Sequence, residues 1–321
     1  MKAIVQDRYG PADVLRLVDI DVPSPGAGQV LVRVRAAGVD PGVWHLMTGL
    51  PYVVRLGYGL RRPRNRVRGM DLAGVVTAVG PGVAGFTPGD EVFGTGAGSF
   101  AEYTVASAGR LAPKPATLSF AQAAAVPISG QTALAAVRDS ARVRPGQRVL
   151  VIGAAGGVGS YAVQLAKAAG AHVTGVCGPT KLDLVRGLGA DEVVDYTRVD
   201  LPDDRYDAVV DTAGNRPLSR LRRVLAPKGT LVLVGGEARG GKWLQGFDRQ
   251  LRALALSPLV GQRLVPLIAK ESTENLAALA GLIDAGQVTP AVDRTWPLAG
   301  APDAIRHLKG GHATGKAVIV V

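Results

Sequence analysis

The run Val149-Leu-Val-Ile-Gly-Ala-Ala-Gly-Gly-Val-Gly-Ser-Tyr-Ala-Val-Gln-Leu-Ala-Lys167 constrains the fold of this chain more than any other stretch. Val149 to Ile152 read as a buried strand. Gly153, Gly156, Gly157 and Gly159 then supply a tight turn, and from Tyr161 the apolar residues recur at helical spacing. A strand that enters a helix through residues without Cβ atoms exposes backbone N–H groups at the positive end of the helix dipole. Such a bend can cradle a diphosphate, and the next strand, Ala171 to Val176, completes the order of a dinucleotide-binding unit. A tightly turned junction without a ligand is the plainer reading of the same residues.

The chain has 321 residues and 47% hydrophobic content, enough for two moderate domains with buried cores. No apolar run reaches the roughly 20 residues of a membrane span, and Met1-Lys-Ala-Ile-Val-Gln-Asp has no cleavable signal pattern, so a cytoplasmic enzyme without a membrane partner is expected. One cysteine, Cys177, excludes an intrachain disulfide and argues against a cysteine-rich metal site. The net charge of +11 favours anionic partners, but the basic residues are scattered and aromatics make up only 5%, so anionic small molecules are expected rather than nucleic acid. One local exception is the arginine-rich Arg55 to Arg68 stretch, which reads as a long loop.

From Lys2 to about Lys114, short runs at Lys2–Gln6, Val30–Ala36, Leu72–Val79 and Phe100–Val105 are separated by Gly and Pro, as in a small barrel-like β domain. A helix is expected from Phe120 through Arg138, crossing Pro127. Strands at Val149–Ile152, Ala171–Cys177, Glu192–Asp195, Ala208–Asp211 and Thr230–Gly235 then alternate with helical segments, which requires a doubly wound parallel sheet. Glu274 to Ala285 reads as a helix. The tail Lys316-Ala-Val-Ile-Val-Val321 reads as a strand that returns to the first domain.

Together these residues resemble the medium-chain dehydrogenase/reductase superfamily, in its zinc-free quinone oxidoreductase-like branch. The markers are Ala36-Ala-Gly-Val-Asp40 with Gly49, Gly69-Met-Asp-Leu-Ala-Gly-Val-Val, Pro88-Gly-Asp-Glu-Val-Phe-Gly94, Ser129-Gly-Gln-Thr-Ala133, Ala154-Ala-Gly-Gly-Val-Gly159, Leu188-Gly-Ala-Asp191 with Tyr196, and Gly315-Lys316. The resemblance implies an α/β chain with a GroES-like, mostly β catalytic domain (1–122 and 291–321) and a Rossmann domain (123–290), with the active site in the cleft between them. It also implies a homodimer joined edge to edge, for which Leu264 to Lys270 is the candidate edge strand, Pro266 being compatible with an edge.

The same resemblance sets Asp40 where zinc-dependent relatives have a cysteine ligand and Met70 where they have a histidine, so no metal site is expected. Hydride transfer without a Lewis acid suits a quinone, or a C=C bond conjugated to a carbonyl. Cys177 stands where NAD enzymes place Asp or Glu, and with Thr180, Lys181 and Tyr196 it favours NADPH. Thr132, Ala155, Gly156, Gly157, Val158, Gly214, Asn215, Val234, Gly235, Gly236 and Lys316 are the further cofactor-binding candidates. Tyr52 is the candidate proton donor, with Tyr58 its rival. Asp40 fills a slot where quinone reductases carry Asn, and an ionised carboxylate there accepts but does not donate. Phe93, Tyr58 and Trp243 are expected to line the substrate site. A metal-free alcohol or ketone dehydrogenase and a non-catalytic NADPH-binding sensor are the alternative readings.

Overall fold

The computed structural model describes residues 1–235, 243, 247–311 and 313–321, so Gly236 lies outside the described residues. The chain divides into two compact units, one of Met1–Ser129, Glu271–Ala285 and Pro290–Val321, the other of Gly130–Lys270 and Gly286–Thr289. The contacts thus divide the chain at 129/130 rather than 122/123 and group Glu271–Ala285 with the first unit. Thr273 there donates to the Leu111 carbonyl at 3.0 Å.

The first unit begins with an antiparallel pair, β1 (Lys2–Val5) and β2 (Arg16–Asp19). It continues with β3 (Gln29–Val39), β4 (Asp71–Val79), β5 (Glu91–Thr95), β6 (Tyr103–Ser107) and β7 (Leu111–Pro113). Along β3 the residues Val30, Val32, Val34 and Ala36 are buried at alternate positions, the period of a strand with one face on a core. The second unit holds β8 (Arg148–Ile152), β9 (His172–Cys177), β10 (Glu192–Asp195), β11 (Tyr206–Asp211), β12 (Leu225–Leu233) and β13 (Arg263–Pro266). These form one parallel sheet in the order β10-β9-β8-β11-β12-β13. Val149 to Ile152 of β8 are fully buried, because a central parallel strand is covered on both faces.

After the second unit come β14 (Val292–Pro297) and β15 (Lys316–Val320). The terminal strand does return to the first unit: the sheet order there is β14-β15-β3-β4-β5-β7, with β6 also paired to β3. Ala317, Val318 and Ile319 are fully buried.

Helices, numbered along the chain, are α1 (Pro41–Thr48), α2 (Arg55–Tyr58), α3 (Phe120–Ala124), α4 (Pro127–Leu134), α5 (Gly157–Ala168), α6 (Leu182–Gly187), α7 (Leu218–Arg223), α8 (Phe247–Leu256), α9 (Thr273–Asp284) and α10 (Ala301–Lys309). The single helix expected over Phe120–Arg138 is instead two, with π-helical turns from Ala135 to Ala141. Ser119 and Gln122 form a capping box at the start of α3, and Pro127, which has no N–H to donate, starts α4. No helix among the described residues is long and apolar enough to cross a membrane.

Candidate functional site

In the second unit, chemistry concentrates at the carboxyl ends of β8 to β12, where open parallel sheets bind ligands. Gly153 ends β8 at φ +81°, and a Cβ on it would lie 2.5 Å from the Thr212 hydroxyl oxygen. A Cβ on Gly159 would lie 2.0 Å from the Gly153 carbonyl oxygen, closer than any side chain tolerates. Both glycines are required by the bend. Gly156 is the N-cap of α5 and offers no capping side chain, so the first-turn amides of a twelve-residue helix face outward for an external acceptor. Ala155, Gly156, Gly157 and Val158 lie at this bend, whose shape and uncapped donors fit a dinucleotide diphosphate.

Cys177 ends β9 directly opposite Asp195 in the β9–β10 register. Burial pushes its thiol up to about 11, so it stays neutral at physiological pH and does not repel an anion. Lys181 and Arg186 are the cations that partly oppose this shift, which places both within electrostatic reach of Cys177. The Tyr196 amide donates to the Cys177 carbonyl at 3.2 Å, and the Tyr196 hydroxyl lies 3.6 Å from where a Gly178 Cβ would stand. Thr180 is exposed in the same turn. Arg186 is a further cation near Cys177 that no sequence spacing to Lys181 marks.

At the ends of β11 and β12, Asp211 is fully buried and organises the turn that carries the remaining candidates. Its Oδ1 accepts from the Gly214 amide at 3.1 Å, and its backbone carbonyl accepts from Val234 at 3.0 Å and Gly235 at 3.1 Å. Arg249 of α8 pairs with Asp211 Oδ2 at 2.6 Å and also donates to the carbonyls of Arg216 and Gly235. This clamp was not visible in sequence, since Asp211 and Arg249 lie 38 residues apart with no motif joining them. Asn215 is exposed beside Gly214, Thr132 is half-buried on α4, and Trp243 is 74% exposed.

The first unit has its own polar centre, assembled from four segments. Asp40 is the N-cap of α1, its Oδ1 accepting from the Val43 amide at 3.3 Å. Asp71, on β4, accepts from the Ile128 amide at the start of α4 at 2.9 Å. Lys316 of β15 enters between them, its Nζ 2.7 Å from Asp71 Oδ2, 4.0 Å from Asp40 Oδ2 and 3.1 Å from Ser129 Oγ. All three ionisable side chains are at least 97% buried. Burial raises the Asp71 carboxyl to about 6; Lys316 opposes this rise and the Asp40 charge adds to it. Lys316, expected at the cofactor, thus has its ammonium held by Asp71 and Ser129.

Tyr52 lies in a 3-10 turn (Tyr52–Val54) leading into α2, half-buried, with the Arg55 guanidinium 4.7 Å over its ring. Tyr58 is 53% exposed. Phe93, expected to line the substrate site, is fully buried in β5, opposite Ala73 and Ala112 of the neighbouring strands. Among the described residues, no group of three or more His, Cys, Asp or Glu is arranged to hold a metal ion. His45 Nδ1 lies 2.6 Å from the Leu50 carbonyl oxygen.

Residues 26–116 match the alcohol dehydrogenase GroES-like domain, and residues 188–319 match the model described as zinc-binding dehydrogenase. The chain is 34% identical over 337 residues to the chloroplast envelope quinone oxidoreductase homolog of Arabidopsis thaliana, covering 99% of this chain and 98% of that one. It is also 34% identical over 338 residues to the 2-methylene-furan-3-one reductase of Solanum lycopersicum, covering 99% of this chain and 79% of that protein. Among solved structures, the quinone oxidoreductase from Coxiella burnetii matches 100% of this chain and 99% of its own, with a TM-score of 0.85 and 29% identity.

The buried centre makes a pH-resolved prediction. Lys316→Met leaves Asp71 and Asp40 buried without their cation, which is expected to lower stability by about 3–5 kcal/mol at pH 8. A buried acid with a raised pKa destabilises the fold when ionised and is relieved by protonation, so the deficit is expected to shrink between pH 8 and pH 5. Urea unfolding of both proteins at the two pH values checks this; a small deficit, or one that grows on acidification, contradicts the assignment.

Proposed function

The chain belongs to the medium-chain dehydrogenase/reductase superfamily, among its quinone oxidoreductase-like members, and from that premise we propose that it is a zinc-independent, NADPH-dependent reductase of quinones or of the C=C bond of α,β-unsaturated carbonyl compounds. The observation that carries the proposal is the bare-backbone bend from β8 into α5 beside a neutral Cys177 that has two cations, Lys181 and Arg186, and one anion, Asp195, within electrostatic reach. When bound, NADPH would supply the hydride that an electron-poor carbon accepts.

The roles of the chain's own residues come from their positions. Ala155 to Val158 offer amide donors to the diphosphate, and Lys181, Arg186, Thr180 and Tyr196 surround the place of a 2′-phosphate. An Asp or Glu at the Cys177 position would repel that phosphate; a protonated thiol does not. Gly214, Asn215, Val234 and Gly235 line the later strand ends, held by the Asp211–Arg249 clamp, and Thr132 is the candidate at the nicotinamide. Tyr52 is the candidate proton donor, since a phenol hydroxyl can donate whereas a carboxylate, when ionised, only accepts. Zinc independence is supported by the chemistry of the first unit's centre: Asp71 is already paired with an ammonium, and the family resemblance sets Asp40 and Met70 where zinc-dependent relatives have a cysteine and a histidine.

A homodimer along β13 belongs to the same proposal. β13 is an edge strand carrying Pro266, and Leu259 and Ile268 on either side of it are 80% and 88% exposed. Light scattering is expected to give twice the chain mass; a monomer at all concentrations excludes the dimer.

Two substitutions test the chemistry. Lys181→Ala is expected to raise the Michaelis constant for NADPH at least tenfold more than that for NADH, about the effect of losing one charge-assisted phosphate contact; equal effects remove Lys181 from the phosphate site. In steady-state NADPH oxidation with a panel of quinones and enones, Tyr52→Phe is expected to lower enone turnover several-fold and spare quinone reduction. Unchanged enone turnover removes Tyr52 from the mechanism. Tight NADPH binding with no turnover on any acceptor supports the sensor reading, and turnover confined to simple ketones supports the alcohol dehydrogenase reading.

A further inference from the structure

Residues 41–70 contain no Asp or Glu and six arginines, at 55, 61, 62, 64, 66 and 68. Arg55 stacks on Tyr9 and Tyr52, and Arg68 is buried against backbone carbonyls, so these two build the segment. Arg61, Arg62, Arg64 and Arg66 are exposed. Arg66 meets Asp7, while among the described residues Arg61, Arg62 and Arg64 have no acidic partner. Immediately before them in the chain are exposed apolar side chains: Val53 at 45%, Leu56 at 67%, Tyr58 at 53% and Leu60 at 67%. Four large apolar groups within eight residues are left uncovered by the described residues, and such a patch marks a surface that meets a partner.

We propose that the Val53–Arg66 segment docks the protein on an anionic lipid surface, its leucines entering the headgroup–acyl boundary and its arginines meeting lipid phosphates. Charge complementarity selects this occupant: an acid-free, cationic segment on a chain of net charge +11 is repelled by a second copy of itself and attracted to a polyanion. The aliphatic side chains separate a bilayer from a nucleic acid, because leucine and valine bury in acyl chains and do not stack on bases. The expectation of no membrane partner came from the lack of a spanning run; lying on a surface needs none. Such binding does not depend on which reaction the protein performs.

The test is co-sedimentation of the full chain with phosphatidylcholine vesicles made with and without phosphatidylglycerol, at low and high salt. The wild-type chain is expected on the phosphatidylglycerol vesicles and released by salt. R61E/R62E/R64E is expected to bind roughly a hundredfold more weakly, at about fivefold or more per arginine. R33E/R35E/R144E, an equal charge change at exposed residues elsewhere, is expected to lose less than about tenfold. L56S/L60S is expected to lose about tenfold while keeping its salt sensitivity. Thermal melting checks that each variant is folded, and R61Q/R62Q/R64Q replaces the triple-Glu variant if that one is not. Three results overturn the proposal: no wild-type retention on anionic vesicles, equal losses in the two charge variants, or unchanged binding by L56S/L60S. The last, together with displacement by duplex DNA, would identify a polyanion patch instead.

Discussion

The ammonium of Lys316 between two buried carboxylates is the interaction on which the first unit turns. The strand that brings it, β15, comes from the end of the chain; Asp40 and Asp71 come from the first quarter, and Asp71 also caps the start of α4. One side chain thus joins the terminal strand to β4, α1 and α4. A pair this buried contributes little by its mere presence, because desolvation offsets most of the attraction. Its weight lies in the penalty for breaking it, which leaves two buried charges with no counter-ion. It also bears on the chemistry available, since a carboxylate already paired with a lysine, as Asp71 is, is a poor recruit for a metal cation.

The second unit rests on a different constraint, the absence of side chains at one bend. Gly153 and Gly159 approach other backbone and a hydroxyl so closely that a single methyl group at either position would displace the strand from the helix. The same absence leaves the α5 amides uncapped. One local requirement, backbone without Cβ, therefore both permits the packing and leaves amide donors free for an acceptor. The Asp211–Arg249 clamp does comparable work at the end of the neighbouring strand β11, fixing the Gly214 and Gly235 backbone with charged hydrogen bonds.

What was legible in the sequence was what is local. The strand–bend–helix, the alternating β3 and the fully apolar β8 all carry periods set by their own backbone, and each is where its period puts it. The returning tail strand was legible for the same reason. What was not legible depends on distant partners. Asp71 and Lys316 are separated by 245 positions and carry no mutual signal, so nothing in the sequence shows that they pair. Arg249 was missed likewise. Pro127 was read as crossed by one helix, whereas it begins a new one whose next amide is satisfied by Asp71. Phe93 shows the limit of motif reasoning: its neighbourhood is conspicuous in sequence, but only the sheet shows it fully buried.

The central proposal is that the reaction needs no metal, the first unit's carboxylates being engaged by a lysine, and that the second unit's bend is the NADPH site. Enone- or quinone-dependent NADPH oxidation, measured on protein dialysed exhaustively against a chelator and then with zinc added back, tests it most directly. The account predicts undiminished turnover after chelation and no gain on adding zinc. Turnover lost to the chelator and restored by stoichiometric zinc would contradict it.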